Sequence, residues 1–186
     1  MKIAIFGGTF DPIHNAHLAV ALEAARHCML DRVLMIPAGN PPHKNNVART
    51  PYPHRYRMVE LACEPHAQLL PSRLEEGSHT TYSIDTIERI PLAYDDELYF
   101  IIGADAFAEI GTWKRWREVL EKVVFIVVSR PGHEYAVPEG ASVLRLDHLA
   151  LDVSSTAIRN SIEQGEKPEG LPTAVWKYIE EHNLYR

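Results

Sequence analysis

Cysteine is nearly absent: Cys28 and Cys63 are the only two, and neither stands in a C-x-x-C pair or at a Cys/His metal spacing. The chain therefore offers no disulfide framework and no cysteine metal centre, and both thiols are expected to be reduced and buried. An excess of basic residues is missing as well, with 19 Lys and Arg against 25 Asp and Glu and a formal net charge of −6. A general nucleic-acid binder has a basic footprint, so nucleic acid is not an expected partner, whereas a small nucleotide needs only a few local donors. Long apolar runs are lacking too. Nothing approaches the roughly 20 residues of a membrane span, and Gly7-Gly8 cuts the opening Ile3–Phe6 run before it could serve as a secretion signal. The expectation is no membrane partner and a cytoplasmic location. Without repeats, linkers or low-complexity stretches, 186 residues read as one domain, 1–186, whose C-terminal helical part covers about 154–184.

What is present is organised around Gly7 to Leu18, G-G-T-F-D-P-I-H-N-A-H-L, directly after the strand-like Ile3-Ala4-Ile5-Phe6. Two glycines at the end of a buried strand let the backbone turn tightly and approach a ligand. From Asn15 the pattern turns helical, with Leu18, Ala21, Leu22 and Ala25 at i, i+3, i+4 and i+7. The free N–H groups and positive dipole end of that helix point back at the glycine turn, an arrangement suited to phosphate. His14 and His17, three positions apart at the helix start, are placed so that both imidazoles can touch one anion. The same H-x-x-H spacing could hold a transition metal, although no firm third ligand stands out.

The rest of the chain alternates strands and helices. Strands are expected at 32–36, 68–70 (closed by Pro71), 97–102, 123–128 and 143–146, and helices over 53–64, from an N-terminus within Thr80–Ile87 to Pro91, and from Pro172 through Leu184. Arg55 and Arg57 read as solvated positions of the second helix. The fold class is α/β, a Rossmann-like doubly wound and mostly parallel sheet flanked by helices, with ligands at the carboxyl ends of the strands. Several segments reach that edge: the Pro-rich loop Pro37–Asn46, Gly103-Ala104-Asp105 after the clearest strand, and Ser129-Arg130-Pro131-Gly132. An acid after a strand-ending glycine suits a ribose hydroxyl or, equally, a helix cap. Val153-Ser154-Ser155-Thr156-Ala157-Ile158-Arg159 opens another helix with more hydroxyls than a cap needs, and Arg159 stands about one turn in.

Taken together, G-G-T-F-D-P-I-H-N-A-H, the loop P-P-H-K at Pro41–Lys44, T-T-Y-S-I-D-T at Thr80–Thr86, G-A-D with Trp113, R-P-G and S-S-T-A-I-R resemble the bacterial nicotinate-nucleotide adenylyltransferases of the nucleotidyltransferase superfamily, over nearly the whole chain. The resemblance implies transfer of AMP from ATP to nicotinate mononucleotide, with release of pyrophosphate, on the way to NAD. It implies a catalytic group of His14, His17 and Arg159. It places ATP against Gly7, Gly8, Thr9, Phe10, His14, His17, Lys44, Gly103, Asp105, Ser154, Ser155, Thr156 and Arg159. The nicotinate nucleotide falls to Asn40, His43, Lys44, Thr81, Tyr82, Trp113 and Arg130, with Trp113 as a stacking platform. Mg²⁺ is expected to come with ATP and to have no dedicated protein ligand; homo-oligomer formation stays open. Ala16 departs from the family pattern, which has glycine between the two histidines. A nucleotide-sensing domain of the same fold, binding ATP without turnover, remains the alternative of a different class, and phosphopantetheine adenylyltransferase is the nearest enzyme competitor.

Overall fold

A computed structural model describes residues 1–39, 48–77, 80–93, 95–129, 132, 134–147 and 153–186. In chain order the elements are β1 (Lys2–Gly8), α1 (Asn15–His27), β2 (Arg32–Pro37), α2 (Tyr52–Cys63), β3 (Leu69–Pro71), α3 (Ser83–Glu88) and β4 (Glu97–Gly103). They continue as α4 (Ala104–Ala108), a 3-10 turn (Ile110–Thr112), α5 (Trp116–Lys122), β5 (Val124–Val128), β6 (Ser142–Leu146), α6 (Ser155–Glu163) and α7 (Thr173–Glu181). Among the described residues the strands form one six-stranded sheet in the order β3-β2-β1-β4-β5-β6, and every neighbouring pair is parallel.

Alternation along the strands explains why the sheet is covered on both faces. Ile3 and Ile5 of β1, Leu98, Phe100 and Ile102 of β4, and Phe125 and Val127 of β5 meet α3, α4 and α5 through Ile84, Ile87, Phe107, Val119 and Leu120. The intervening Ala4, Tyr99, Ile101 and Ile126 meet the other layer: Leu18 and Ala21 of α1, Met58 and Val59 of α2, Ile158 and Ile162 of α6, and Val175 and Ile179 of α7. A strand buried on both faces reads as an unbroken apolar run, which is what makes β4 and β5 so legible. Each fully buried aliphatic or aromatic side chain contributes roughly 1.5–3 kcal/mol.

Several local readings differ. The third strand begins at Leu69 rather than Gln68, with Pro71 as its last residue; β3 is an edge strand, so the missing N–H costs no ladder bond. Helix α3 stops at Glu88, before Pro91. The sequence pattern assigns nothing between β4 and β5, where α4, the 3-10 turn and α5 lie; each is too short to show a helical period. Arg55 is not solvated but 2% exposed, whereas Arg57 is exposed and pairs with Glu60 at 3.1 Å. Arg55, Met58, Val59 and Ala62 fall at i, i+3, i+4 and i+7, so the period itself puts Arg55 on the buried stripe. Both cysteines are free and buried.

Candidate active site

The sheet order reverses direction between β1 and β4, the switch point at which open α/β sheets bind ligands. Their pairing runs from Lys2↔Glu97 to Ile5↔Phe100 and stops there. By contrast, β1 stays paired with β2 through Gly8↔Pro37, and β4 with β5 through Gly103↔Val128. The last residues of β1 and β4 therefore part and open a crevice of about 250 Å³, lined by Phe6, Gly7 and Gly8 on one side and Ile101, Ile102 and Gly103 on the other. A Cβ added at Gly7 or at Gly103 would meet nothing within 4 Å, so neither glycine is required by internal packing. What a side chain there would fill is the crevice. Gly8 is different: its Cβ would lie 3.0 Å from the Phe10 ring. Thr9 completes the lining on this side, while the Phe10 side chain is turned into the core at 2% exposure. Asp105 stands exposed in the first turn of α4, and it is Gly103 and Ala106 of that segment that line the crevice.

His14 is the N-cap of α1 and His17 lies in its first turn. The two rings stack with centroids 3.7 Å apart, and His17 is held edge-on by Phe10 at 5.0 Å and Phe6 at 6.2 Å. The backbone N–H of His14 donates to His17 Nδ1 at 3.3 Å, which leaves the proton of a neutral ring on Nε2, free to point outward. Burial lowers His14 to about 4, and burial with the nearby His14 second lowers His17 to about 3. Both are thus neutral at pH 7 until an anion arrives to favour the charged form. His14 Nδ1 is buried with no hydrogen-bond partner among the described residues, a polar atom whose burial is costly unless a ligand satisfies it.

The loop before the histidines is gripped from four directions. The Asp11 carboxylate, 2% exposed, accepts the Arg49 and Thr50 amides on Oδ2 at 2.6 and 3.3 Å and the Tyr185 hydroxyl on Oδ1 at 2.6 Å. Burial and the adjoining Asp11 push the Tyr185 phenol above its ordinary range, so it remains the donor. Arg55 donates to the carbonyls of Thr50 and Thr9 at 3.0 and 2.7 Å. From α6, the Arg159 Nη1 donates to the Asp11 carbonyl at 2.7 Å and Ser155 Oγ to the Pro12 carbonyl at 2.9 Å. Between these anchors Phe10 holds φ 48°, a left-handed conformation that costs a non-glycine residue about 1–2 kcal/mol and persists only where surrounding contacts over-determine it.

Of the hydroxyls that open α6, Ser154 caps the helix by accepting the Ala157 amide at 3.1 Å, and Thr156 accepts Arg159 Nη2 at 3.1 Å. Ser155 donates to Pro12, whereas Ser154 and Thr156 accept and keep their O–H donors for an anion, beside the first-turn amides and the guanidinium, whose buried Nε has no partner among the described residues.

At the other end of the crevice Trp113 packs its edge on Phe100 at 5.7 Å and lines the space together with Thr81, Ser83 and Thr86. Tyr82 caps α3 beside them, with Lys114 Nζ 4.5 Å from its ring centroid; Lys114 also pairs with Asp85 at 3.1 Å. Glu75, unremarked in the sequence, lines the same space and accepts Thr81 Oγ1 at 3.0 Å and Thr86 Oγ1 at 2.8 Å. Gly39 lets the segment after β2 close over it, since a Cβ there would overlap the Glu75 carbonyl.

Residues 5–161 match the family described as cytidylyltransferase-like. Across 100% of both chains, the sequence is 57% identical to a probable nicotinate-nucleotide adenylyltransferase of Solibacter usitatus. The chain belongs to the nicotinate-nucleotide adenylyltransferase family. A probable nicotinate-nucleotide adenylyltransferase of Bacillus pumilus is 44% identical over 99% of this chain and 98% of its own. In fold the chain is similar to the nicotinic acid mononucleotide adenylyltransferase of Plasmodium falciparum complexed with NaAD, with a TM-score of 0.81 over 99% of this chain and 97% of that one, at 21% identity.

For this adenylyltransferase family member, the crevice and α6 bring together Gly7, Gly8, Thr9, His14, His17, Gly103 and Arg159 at one sheet edge, with Thr81 and Trp113 at its far end. Asn40, His43, Lys44 and Arg130, expected around the nucleotide, lie outside the described residues. Among the described residues no group of three or more His, Cys, Asp or Glu could hold a metal ion, and no helix is long and apolar enough to cross a membrane. Sequence reasoning missed Asp11, Arg55, Glu75 and Tyr185. Only Arg55 carried a signal, its place in the helical period.

Proposed function

We infer that this chain transfers AMP from ATP to nicotinate mononucleotide, giving nicotinate adenine dinucleotide and pyrophosphate, and that residues 1–186 act as one nucleotidyltransferase domain in the cytoplasm. The observation that carries the reading is the glycine-edged switch-point crevice together with two neutral, stacked imidazoles at the start of α1, of which His17 packs against Phe6 of the crevice lining. The nucleoside of ATP lies along Gly7, Gly8 and Gly103, its phosphates reach His14, His17 and the start of α6 with Arg159, and the nicotinate ring lies on Trp113.

The chemistry asks for donors rather than a base. A phosphate monoester has its second pKa near ~6, so the attacking nucleotide is already largely a dianion at neutral pH. One of its oxygens attacks the α-phosphorus, and the bond to the bridging oxygen breaks to release pyrophosphate. Negative charge grows on the α-phosphoryl oxygens and the leaving group, where His17 Nε2–H, His14 and Arg159 can donate. Holding both nucleotides in line accounts for the rest. The donor set fits a cation carried in on ATP: neutral imidazoles are poor ligands for a hard ion, and Mg²⁺ favours phosphate oxygens and water. When bound in this way, Mg²⁺ neutralises the triphosphate.

On the acceptor side, the amides that open α3 beside Thr81 and Tyr82 supply donors for a nicotinate carboxylate, which has no N–H of its own to satisfy. Pyrophosphate release, measured with ATP and a panel of nicotinate mononucleotide, nicotinamide mononucleotide and phosphopantetheine, tests the reading. The first acceptor is expected to give the highest kcat/KM. Equal values for the two pyridine nucleotides would overturn the acceptor preference, and tight ATP binding without turnover on any acceptor would favour a nucleotide sensor.

A further inference from the structure

We propose that Tyr185 is a positioning residue for adenylyl transfer: its hydroxyl fixes Asp11, and through Asp11 it sets the geometry in which His14, His17 and Arg159 meet the triphosphate. The inference rests on the reading of the site given above. Asp11 is a junction with two sides. Its carboxylate is held by Tyr185, Arg49 and Thr50, and its backbone carbonyl holds the Arg159 guanidinium at 2.7 Å. Only Pro12 and the fully buried Ile13 separate it from His14, the N-cap of α1. A shift of Asp11 therefore moves two of the three phosphate-facing groups at once.

The other anchors leave a specific task for the phenol. Arg55 grips the carbonyl of Thr9, and Ser155 that of Pro12; neither touches Oδ1 of Asp11. Arg49 and Thr50 both crowd onto Oδ2, so Tyr185 alone among the described residues is seen to set the rotation of the carboxylate. Phe10, strained at φ 48° one residue earlier, gives the loop a reason to relax once the rotation is free. Tyr185 is itself strained: it holds φ 64°, after Asn183 at φ 50°, and the Leu184 amide ties the turn to the Ile179 carbonyl at 3.1 Å. Left-handed Asn183, with the Leu184 amide reaching back to Ile179, ends α7 as many helices end, whereas the second left-handed residue, Tyr185, lies beyond what that helix end needs. The turn seats the Tyr185 ring against the core and brings its hydroxyl to Asp11, 174 positions away.

The test is Tyr185→Phe, which keeps the ring and deletes the donor. The ring stays packed against the core, but the buried Asp11 Oδ1 loses its donor, so the protein is expected to stay folded with a melting temperature lower by a few degrees. With ATP varied, kcat/KM should fall about tenfold, the effect of one hydrogen bond to a charged group. KM for nicotinate mononucleotide should be unchanged, since that end of the crevice does not touch Asp11. A double-mutant cycle separates positioning from general loosening: added to Asp11→Asn, Tyr185→Phe should have almost no further effect on kcat, while its effect should add fully to that of Trp113→Phe. Titration with ATP in the absence of acceptor reads the loop without turnover, and Tyr185→Phe should weaken binding by a similar factor. If wild-type protein turns over no acceptor, the proposed reaction fails and this titration alone decides the role of Tyr185. Wild-type ATP affinity and kcat in Tyr185→Phe, or effects that simply add to those of Asp11→Asn, overturn the proposal.

Discussion

Replacing Gly7 by alanine should move stability and activity in opposite directions. The new Cβ meets no protein atom within 4 Å, and the backbone at Gly7 is not in the left-handed region. Nothing in the folded protein has to shift. The unfolded chain loses freedom instead, which stabilises the native state by about 0.4–1 kcal/mol and, for a chain of this size, raises the melting temperature by about 1–4 °C. The same methyl group enters the space where β1 and β4 have parted. Inserting a methylene-sized group into a fitted contact costs about 1–3 kcal/mol, so KM for ATP should rise from roughly fivefold to more than a hundredfold. Calorimetry of the free protein and initial rates at saturating nicotinate mononucleotide measure the two effects independently. Unaltered ATP kinetics would mean that the nucleotide does not run along this glycine, and a drop of several degrees would mean that the space beside it is needed by the protein.

His17→Ala should lower kcat about a hundredfold, as loss of one transition-state donor typically costs on the order of 3 kcal/mol; near-normal turnover by a folded variant would remove His17 from the chemistry. Stability should depend on mild acid. The folded His14 titrates near about 4 and His17 near about 3, whereas unfolded histidines take up protons below about 6.5; the unfolded state then binds more protons, and stability is lost as the pH falls from about 6.5 toward 4. At about pH 5 the loss should reach roughly 1–2 kcal/mol for His14, visible in urea melts as a slope that His14→Gln flattens. Ala16 is 7% exposed in the first turn of α1, so Ala16→Gly should keep activity while lowering stability by up to about 1 kcal/mol; strong activation by this change would instead mark the natural chain as catalytically impaired.

What could be read from the sequence was what repeats. Strands buried on two faces gave continuous apolar runs, α1 declared itself by its period, and Ser154 by its cap. The glycine edge was visible because the two glycines stand in one string with His14 and His17, since a glycine pair alone reads as an ordinary turn. The groups that hold the site rigid were hidden for a physical reason. A hydrogen bond between Tyr185 and Asp11, or between Arg55 and Thr9, depends on distant segments meeting, and no local spacing encodes it. Glu75 sat in an unpatterned loop and gained meaning only when Thr81 and Thr86 closed on its carboxylate. The hydroxyls of the α6 signature read as ligands, and the fold adds what the sequence could not show, that each also has a contact inside the protein.

The parting of β1 and β4 also determines how the nucleotide end of the site can be probed. Once pairing stops at Ile5 and Phe100, the amides and carbonyls that would have joined the two strands face the crevice with no ladder partner, and they must bond to water or ligand. Recognition made from main chain cannot be deleted by trimming side chains. Truncating the side chains around the crevice would therefore credit the binding energy to the histidines and Arg159, and alanine at Gly7 reports on the space beside the strand rather than on its amide. The contacts along this edge answer to a different chemistry: replacing a single amide with an ester removes one donor and leaves every side chain in place. The same property lets residues on the buried faces of these strands change without altering what the ligand meets, provided that the strands keep their register up to the point where they separate.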